Sequence, residues 1–182
     1  MKKVLSIAAM ALAVVFVFTS CNKEKTMTQK LCVEKGWTLS ACTCENPGYG
    51  QTGIKNIYEA MENLGGYELD DVMKFKTDGK EYINAGKVRY DYEAEGDQYV
   101  GDWAFNDKET VLECQVSIFG AAATDPEGTS YSSVKEQCDI ETLDDDKLVF
   151  SHTFTVPENN NAKMIFAQPG TYTFNFTYVH AK

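Results

Sequence analysis

Two histidines, His152 and His180, and five cysteines, Cys32, Cys42, Cys44, Cys114 and Cys138, are the side chains best suited to chemistry in this chain. Catalysis needs a base, a nucleophile or a metal held in mutual reach. Neither histidine is accompanied by a Ser or Cys elbow motif, which argues against acyl transfer and against an enzyme in general. Zinc wants two close cysteine pairs, or one pair with histidines just behind it. The chain offers only Cys42 and Cys44, one residue apart; on a strand they share a face and cannot easily bridge each other. Asp91, Glu93, Glu95 and Gly96, with Asp102, outline the oxygen positions of a calcium loop. They alternate with Tyr92 and Ala94 between strand-like flanks, so they read as the solvated face of a hairpin. No catalytic residue, metal or cofactor follows from these patterns.

The histidines gain interest from their neighbours. His152 falls in the alternating run Leu148, Phe150, His152, Phe154, Val156; His180 ends the run Tyr172, Phe174, Phe176, Tyr178, His180. Both therefore lie on the apolar face of a strand. One reading is a core histidine satisfied by backbone or a Tyr hydroxyl. The other places His152, His180, Phe154, Tyr172 and Tyr178 inside a barrel as the lining of an apolar cavity for one small ligand.

A different cysteine sets the address. Lys2 and Lys3 precede an apolar run from Val4 to Phe18 broken only by Ser6, and Phe18-Thr19-Ser20-Cys21 follows. Charged head, apolar middle and small residues at the cut are the order of a secretory signal, and the four residues resemble a bacterial lipobox. The resemblance implies diacylglycerol on the Cys21 thiol, cleavage before Cys21 and acylation of the new amino group, hence a palmitate-type lipid anchor. Fifteen apolar residues at ~1.5 Å each reach about 22 Å, short of a ~30 Å hydrocarbon core, so a transmembrane helix is the poorer reading. Asn22 in place of aspartate implies, by resemblance to enterobacterial sorting, the outer membrane, with the protein facing periplasm or cell surface. Two or three acyl chains make such an anchor nearly permanent. An envelope location permits disulfides, but five remaining cysteines leave at least one thiol unpaired. Cys114–Cys138 is the preferred bridge.

Removing Lys2 and Lys3 from the 17 basic residues leaves 15 against 27 acidic ones, a net charge of −12. That balance repels nucleic acid and anionic headgroups and keeps a tethered domain soluble. Residues 1–20 thus read as signal, 21–35 as a polar, Lys-rich flexible tether, and 36–182 as one domain long enough to bury a core without staples. One helix is predicted, with Thr52 as its cap, Ile54, Ile57, Tyr58, Met61 and Leu64 as its apolar stripe and Gly65-Gly66 as its stop. The rest is strands: Trp37–Cys42 alternating, Val72–Lys76 and Glu81–Ala85 joined by an Asp78-Gly79 hairpin, Val88–Ala94, Tyr99–Phe105, Leu112–Ile118, a long insertion Gly120–Ser130, Val134–Ile140, and the two aromatic runs above, with Asp144-Asp145-Asp146 as a turn. About eight or nine antiparallel strands must close on themselves or stack to hide their edges.

WTLSA at 37–41, NLGGYE at 63–68, LDDVMKFKTDGKEYINAG at 69–86, GDWAFNDKETVLE at 101–113 and LDDDKLVFS at 143–151 together resemble the lipocalin-like lipoproteins common in Bacteroidetes. The resemblance implies a mainly β fold: an antiparallel calycin or lipocalin-like barrel, or a flattened version of it, with one short helix. It carries no catalytic residues. Two functions compete: a lipid-anchored binding module for a small apolar or amphipathic ligand, and a non-enzymatic accessory subunit docking to a larger envelope complex.

Overall fold

A computed structural model describes residues 24–45, 56–63, 65–66, 69–89, 94–115, 135–156 and 170–182, with 154–156 and 170 by backbone alone. Among them no helix is long and apolar enough to cross a membrane. The signal and Cys21, residues 90–93 of the expected Val88–Ala94 strand and the Gly120–Ser130 insertion lie outside the described residues.

Nine antiparallel strands run as a meander: β1 (Trp37–Cys44), β2 (Val72–Phe75), β3 (Lys80–Asn84), β4 (Asp97–Asp102), β5 (Ala104–Phe105), β6 (Val111–Cys114), β7 (Glu136–Leu143), β8 (Lys147–Val156) and β9 (Gly170–His180). Their order in the single sheet is β4-β3-β2-β1-β9-β8-β7-β6-β5. The two ends of that order are consecutive in the chain, separated by Trp103 alone, so the sheet curls into a nearly closed barrel. This agrees with the expected lipocalin-like architecture. Closure leaves little exposed edge, as sheets of this size require.

Local chemistry sets the corners. Between β2 and β3, Gly79 N donates to Lys76 O and Lys76 N to Lys80 O. Gly79 takes φ of 82°, the left-handed residue a three-residue hairpin wants. That turn also bends the β4–β5 segment: Trp103 N donates to Gly79 O at 2.8 Å and its indole Nε1 to Lys76 O at 2.9 Å. Asp144 Oδ1 accepts from Asp146 N and Lys147 N, making the acidic triplet a turn between β7 and β8. Residues 85–89 are not strand; Asp70 Oδ2 accepts from the amides of Lys87 and Val88 instead.

The described residues include two short helices, where one was expected. The expected helix is α2 (Ile57–Asn63), with Ile57 buried and Tyr58 and Met61 packed on the core; Thr52 and Ile54 lie outside the described residues. The other, α1 (Met27–Leu31), corrects the tether reading. Thr26 caps it in a full capping box with Gln29, a T-x-x-Q signature inside a stretch judged only by its polarity. Leu31 is fully buried, Met27, Cys32 and Val33 pack on the core, and Leu31 O accepts from Trp37 Nε1 at 2.8 Å. The segment therefore caps the barrel at the start of β1 instead of floating. Gly36, φ 74°, makes the entry: a Cβ there would meet Met73 O at 2.6 Å.

Candidate functional site

The barrel interior is built by alternation. On β9, Tyr172, Phe174, Phe176 and Tyr178 are buried, and Thr171 and Val179 exposed. Phe176 lies 6.3 Å from Phe174 and 6.4 Å from Tyr178, ring centre to ring centre. From β8, Phe150 packs at 5.2 Å from Phe176 and 5.5 Å from Tyr178. These are the separations of stacked or tilted aromatic pairs. Leu112, Leu148 and Met73 complete an apolar wall.

β1 departs from the simple alternation that puts Cys42 opposite Trp37. Its pairing with β9 shifts between Leu39 and Ala41, a bulge that switches side-chain parity. Trp37, Leu39, Cys42 and Cys44 are consequently all buried, and Ser40 and Thr43 are exposed. Two thiols thus join the interior.

His152 is buried and tied at both ring nitrogens: Nδ1 lies 3.1 Å from Gln137 O and Nε2 3.2 Å from Glu136 Oε2. Burial alone would lower its pKa; the hydrogen bonds to Glu136 and Gln137 outweigh it and raise the pKa above the ordinary value. Its bonds are therefore committed to the wall. His180 is half-buried, its ring 4.7 Å from Trp37, and its buried Nε2 has no partner among the described residues. His152 opposes Phe174 on β9; six residues further, at ~3.3 Å each, His180 is about 20 Å away. The two histidines line opposite ends and form no common site. Tyr172 pairs with Phe154 near His152, and Tyr178 pairs with Leu39 and Leu148 toward the other end. The Phe154 side chain and Cys21 lie outside the described residues.

Cys114 and Cys138 are side by side as expected, but as free thiols joined by a hydrogen bond rather than as a disulfide. Register gives the reason. Leu112 opposes Cys138 and Cys114 opposes Glu136, so the cysteines are a diagonal pair. Such pairs stand ~7–8 Å apart, beyond the usual Cα span of a disulfide. That hydrogen bond, then burial, raises the Cys114 pKa well above an ordinary thiol. Burial does the same to Cys42, and pushes Cys32 up to about 11. None of these thiols is activated as a nucleophile.

Sequence reasoning missed the most unusual interior residue. Glu81 on β3 is fully buried; its Oε2 accepts from Gln115 N at 2.8 Å, and its Oε1 has no partner among the described residues. Gln115 follows β6, so this bond stitches β3 across the seam where β4 and β6 do not pair. Burial pushes the Glu81 carboxyl up to about 8, against smaller lowering effects of Gln115 N–H and Lys135. The signal was available: Glu81 shares strand parity with Ile83 and Ala85. Tyr178, 2% exposed, also has a hydroxyl with no partner among the described residues, and burial raises its pKa well above the ordinary value.

Outside the wall, a groove of about 490 Å³ runs past Thr28 and Gly79 over Trp103 and Phe105 to the turn at Asp107. None of the residues expected to hold a ligand lines it. Among the described residues no cluster of three His, Cys, Asp or Glu side chains is placed to hold a metal ion. Of the outlined calcium loop, Glu95 pairs with Arg89 and Asp102 accepts from the Tyr99 hydroxyl. No protein-family model matches the chain, and no curated protein matches it in sequence.

Proposed function

We propose that this is a cell-envelope lipoprotein, anchored through Cys21 to the outer membrane, whose barrel holds one small apolar or amphipathic ligand. The observation that carries the reading is a meander barrel, capped by α1, whose aromatic interior contains buried polar atoms with no partner among the described residues. Ligand sites of barrels have that composition: apolar walls with a few polar groups that orient the guest. The commitment of both His152 nitrogens and the raised thiol pKa values favour binding over catalysis. The likeness to lipocalin-like lipoproteins points the same way and belongs to this proposal.

Native mass spectrometry of the full chain carrying Cys21→Ser tests the carrier role. A discrete mass excess that disappears on organic extraction is expected, and a protein that stays empty after exposure to envelope lipid extract refutes it. Radiolabelled palmitate tests the anchor separately. Incorporation that vanishes with Cys21→Ser supports it, and incorporation unaffected by that change removes it.

A further inference from the structure

The register of the sheet gathers one set of chain segments at one end of the barrel. Trp37 pairs with both Met73 and His180, Lys147 with Val179, and Lys80 with Asp102. That end therefore holds α1 and the entry to β1, the turns at 76–80 and 144–147, and the last residues, 180–182. The groove bordered by Thr28, Gly79 and Asp107 together adds the turn at 106–110. Residues 85–89, the close of β1 at Cys44 and the start of β7 at Glu136 lie at the opposite end. Charge divides along the same line. Of the 15 basic and 27 acidic side chains after Cys21, residues 24–36, 76–80, 106–110, 144–147 and 180–182 carry eight of each, leaving seven basic against nineteen acidic for the rest. The α1 end is neutral, and the net charge of −12 lies wholly away from it.

We infer that the α1 end is the surface this protein sets against a phospholipid headgroup layer, held there by the shortness of its tether. The inference rests on the reading of Cys21 as the lipid anchor and adds an orientation to it. Four peptide steps separate Cys21 from Lys25, a reach of at most about 14 Å. Lys25 already sits on the barrel end, its Nζ 2.7 Å from Asp145 Oδ1. An exposed ion pair holds little by itself; the Thr26 capping box and the fully buried Leu31 keep α1 in place behind it. The 11 residues of β9, at ~3.3 Å each and tilted by ~40°, make a barrel about 28 Å tall. The far rim is thus out of reach of Cys21. Lying on its side would bring the acidic remainder of the chain within the ~8 Å screening length of an anionic surface. Standing on the neutral end avoids that repulsion. Such an end is tolerated rather than attracted by headgroups, so the tether sets the orientation. The groove over Trp103 and Phe105 then lies on the membrane side, and the opposite rim faces water.

The test is lysine footprinting of the full chain, purified from membranes of a lipidating bacterium and placed in vesicles of phosphatidylethanolamine and phosphatidylglycerol. The probe is a singly charged, membrane-impermeant acetylating reagent, read out by mass spectrometry, and the Cys21→Ser chain mixed with the same vesicles is the reference. The surface potential of an anionic membrane alone dilutes such an anion about threefold near the headgroups. Lys76, Lys108, Lys147 and Lys182, at the α1 end, should therefore be acetylated at least about threefold more slowly than in the reference, while Lys87 and Lys135, at the other end, keep their rate. A flexible Gly-Ser segment of about a dozen residues inserted after Lys23 adds a reach of about 20 Å and should return the α1-end lysines to the reference rate. Equal slowing at both ends, slowing confined to Lys87 and Lys135, or slowing that survives the insertion overturns the tethered orientation and leaves the anchor standing. A wild-type chain that fails to float with the vesicles overturns the anchor and the orientation together.

Discussion

Replacing Glu81 with glutamine should remove a fall in stability that the wild type shows between about pH 4.5 and 8. The carboxyl is fully buried and its pKa stands at about 8 against an ordinary 4.5. Between those values the native state keeps a proton that the unfolded chain has lost. Stability therefore falls as pH rises, beginning near 4.5 and ending above about 8. A gap of about 3.5 in pKa, at about 1.4 kcal/mol each, amounts to about 5 kcal/mol when the loss is complete, and about 3 kcal/mol of it is present at pH 7. Glutamine has no proton to lose, and its side-chain oxygen can still accept from Gln115 N. Wild type and Glu81→Gln should then have similar stability at pH 4.5, with the variant ahead by about 3 kcal/mol at pH 7 and about 5 kcal/mol at pH 9. Urea unfolding of the unliganded proteins at those three values measures it, because the difference between the two cancels every other titrating group. A difference that stays flat from pH 4.5 to 9 would show that Glu81 reaches water or a cation in the native barrel, and the argument from burial would fail.

Three further outcomes follow from the same structure. His152 gives a pH slope of the same direction in a higher range: its raised pKa means that protonation against Glu136 favours the folded state. That contribution is complete below the ordinary 6.5 and lost as pH rises through the folded value. In the Glu81→Gln background, which removes the Glu81 contribution, the stability difference between chains with and without Glu136→Gln should change with pH between 5 and 8, while a difference that stays constant would place the partner of His152 elsewhere. Gly36→Ala should destabilise by about 2 kcal/mol or more, since φ is 74° and the added Cβ would lie 2.6 Å from Met73 O; thermal unfolding checks it. Thr26→Ala removes the α1 cap and should lower stability by about 1 kcal/mol. Faster amide exchange confined to residues 29–32 would locate the effect, and no change in exchange would mean that the cap is held by packing alone.

What was readable in the sequence is what short-range patterns determine. The Asp78-Gly79 hairpin, the Asp144 turn and the period-two runs of β8 and β9 are local, and the structure contains each of them. From strands that alternate so regularly, closure into a barrel follows because an open sheet of nine would expose two edges. Three features depended on something less local. The α1 cap is a capping box hidden in a lysine-rich stretch, where composition outweighed a four-residue signature. The inward turn of Cys42 needs a bulge in the pairing with a strand more than a hundred residues away, and no pattern within β1 marks it. The Cys114–Cys138 bridge fails on register, which depends on how β6 meets β7 and not on the count of cysteines.

Glu81 is the instructive miss, because the residue type argued against its place. A charged residue beside a tight turn is ordinarily solvated, and Lys80 next to it is exposed. Parity with Ile83 and Ala85 points inward instead, and parity wins because a one-residue slip would send Ile83 and Ala85 to water along with it. The chain then neutralises the carboxyl by burial and uses one oxygen to span the seam between β4 and β6, where backbone pairing stops. A structural stitch needs one acceptor; Glu81 brings a second oxygen that has no partner among the described residues. A glutamine, or the backbone alone through a tighter β4–β6 approach, would close the seam without that penalty. That oxygen is buried without a partner among the described residues, as is the Tyr178 hydroxyl, and each carries the desolvation cost of an unmade hydrogen bond.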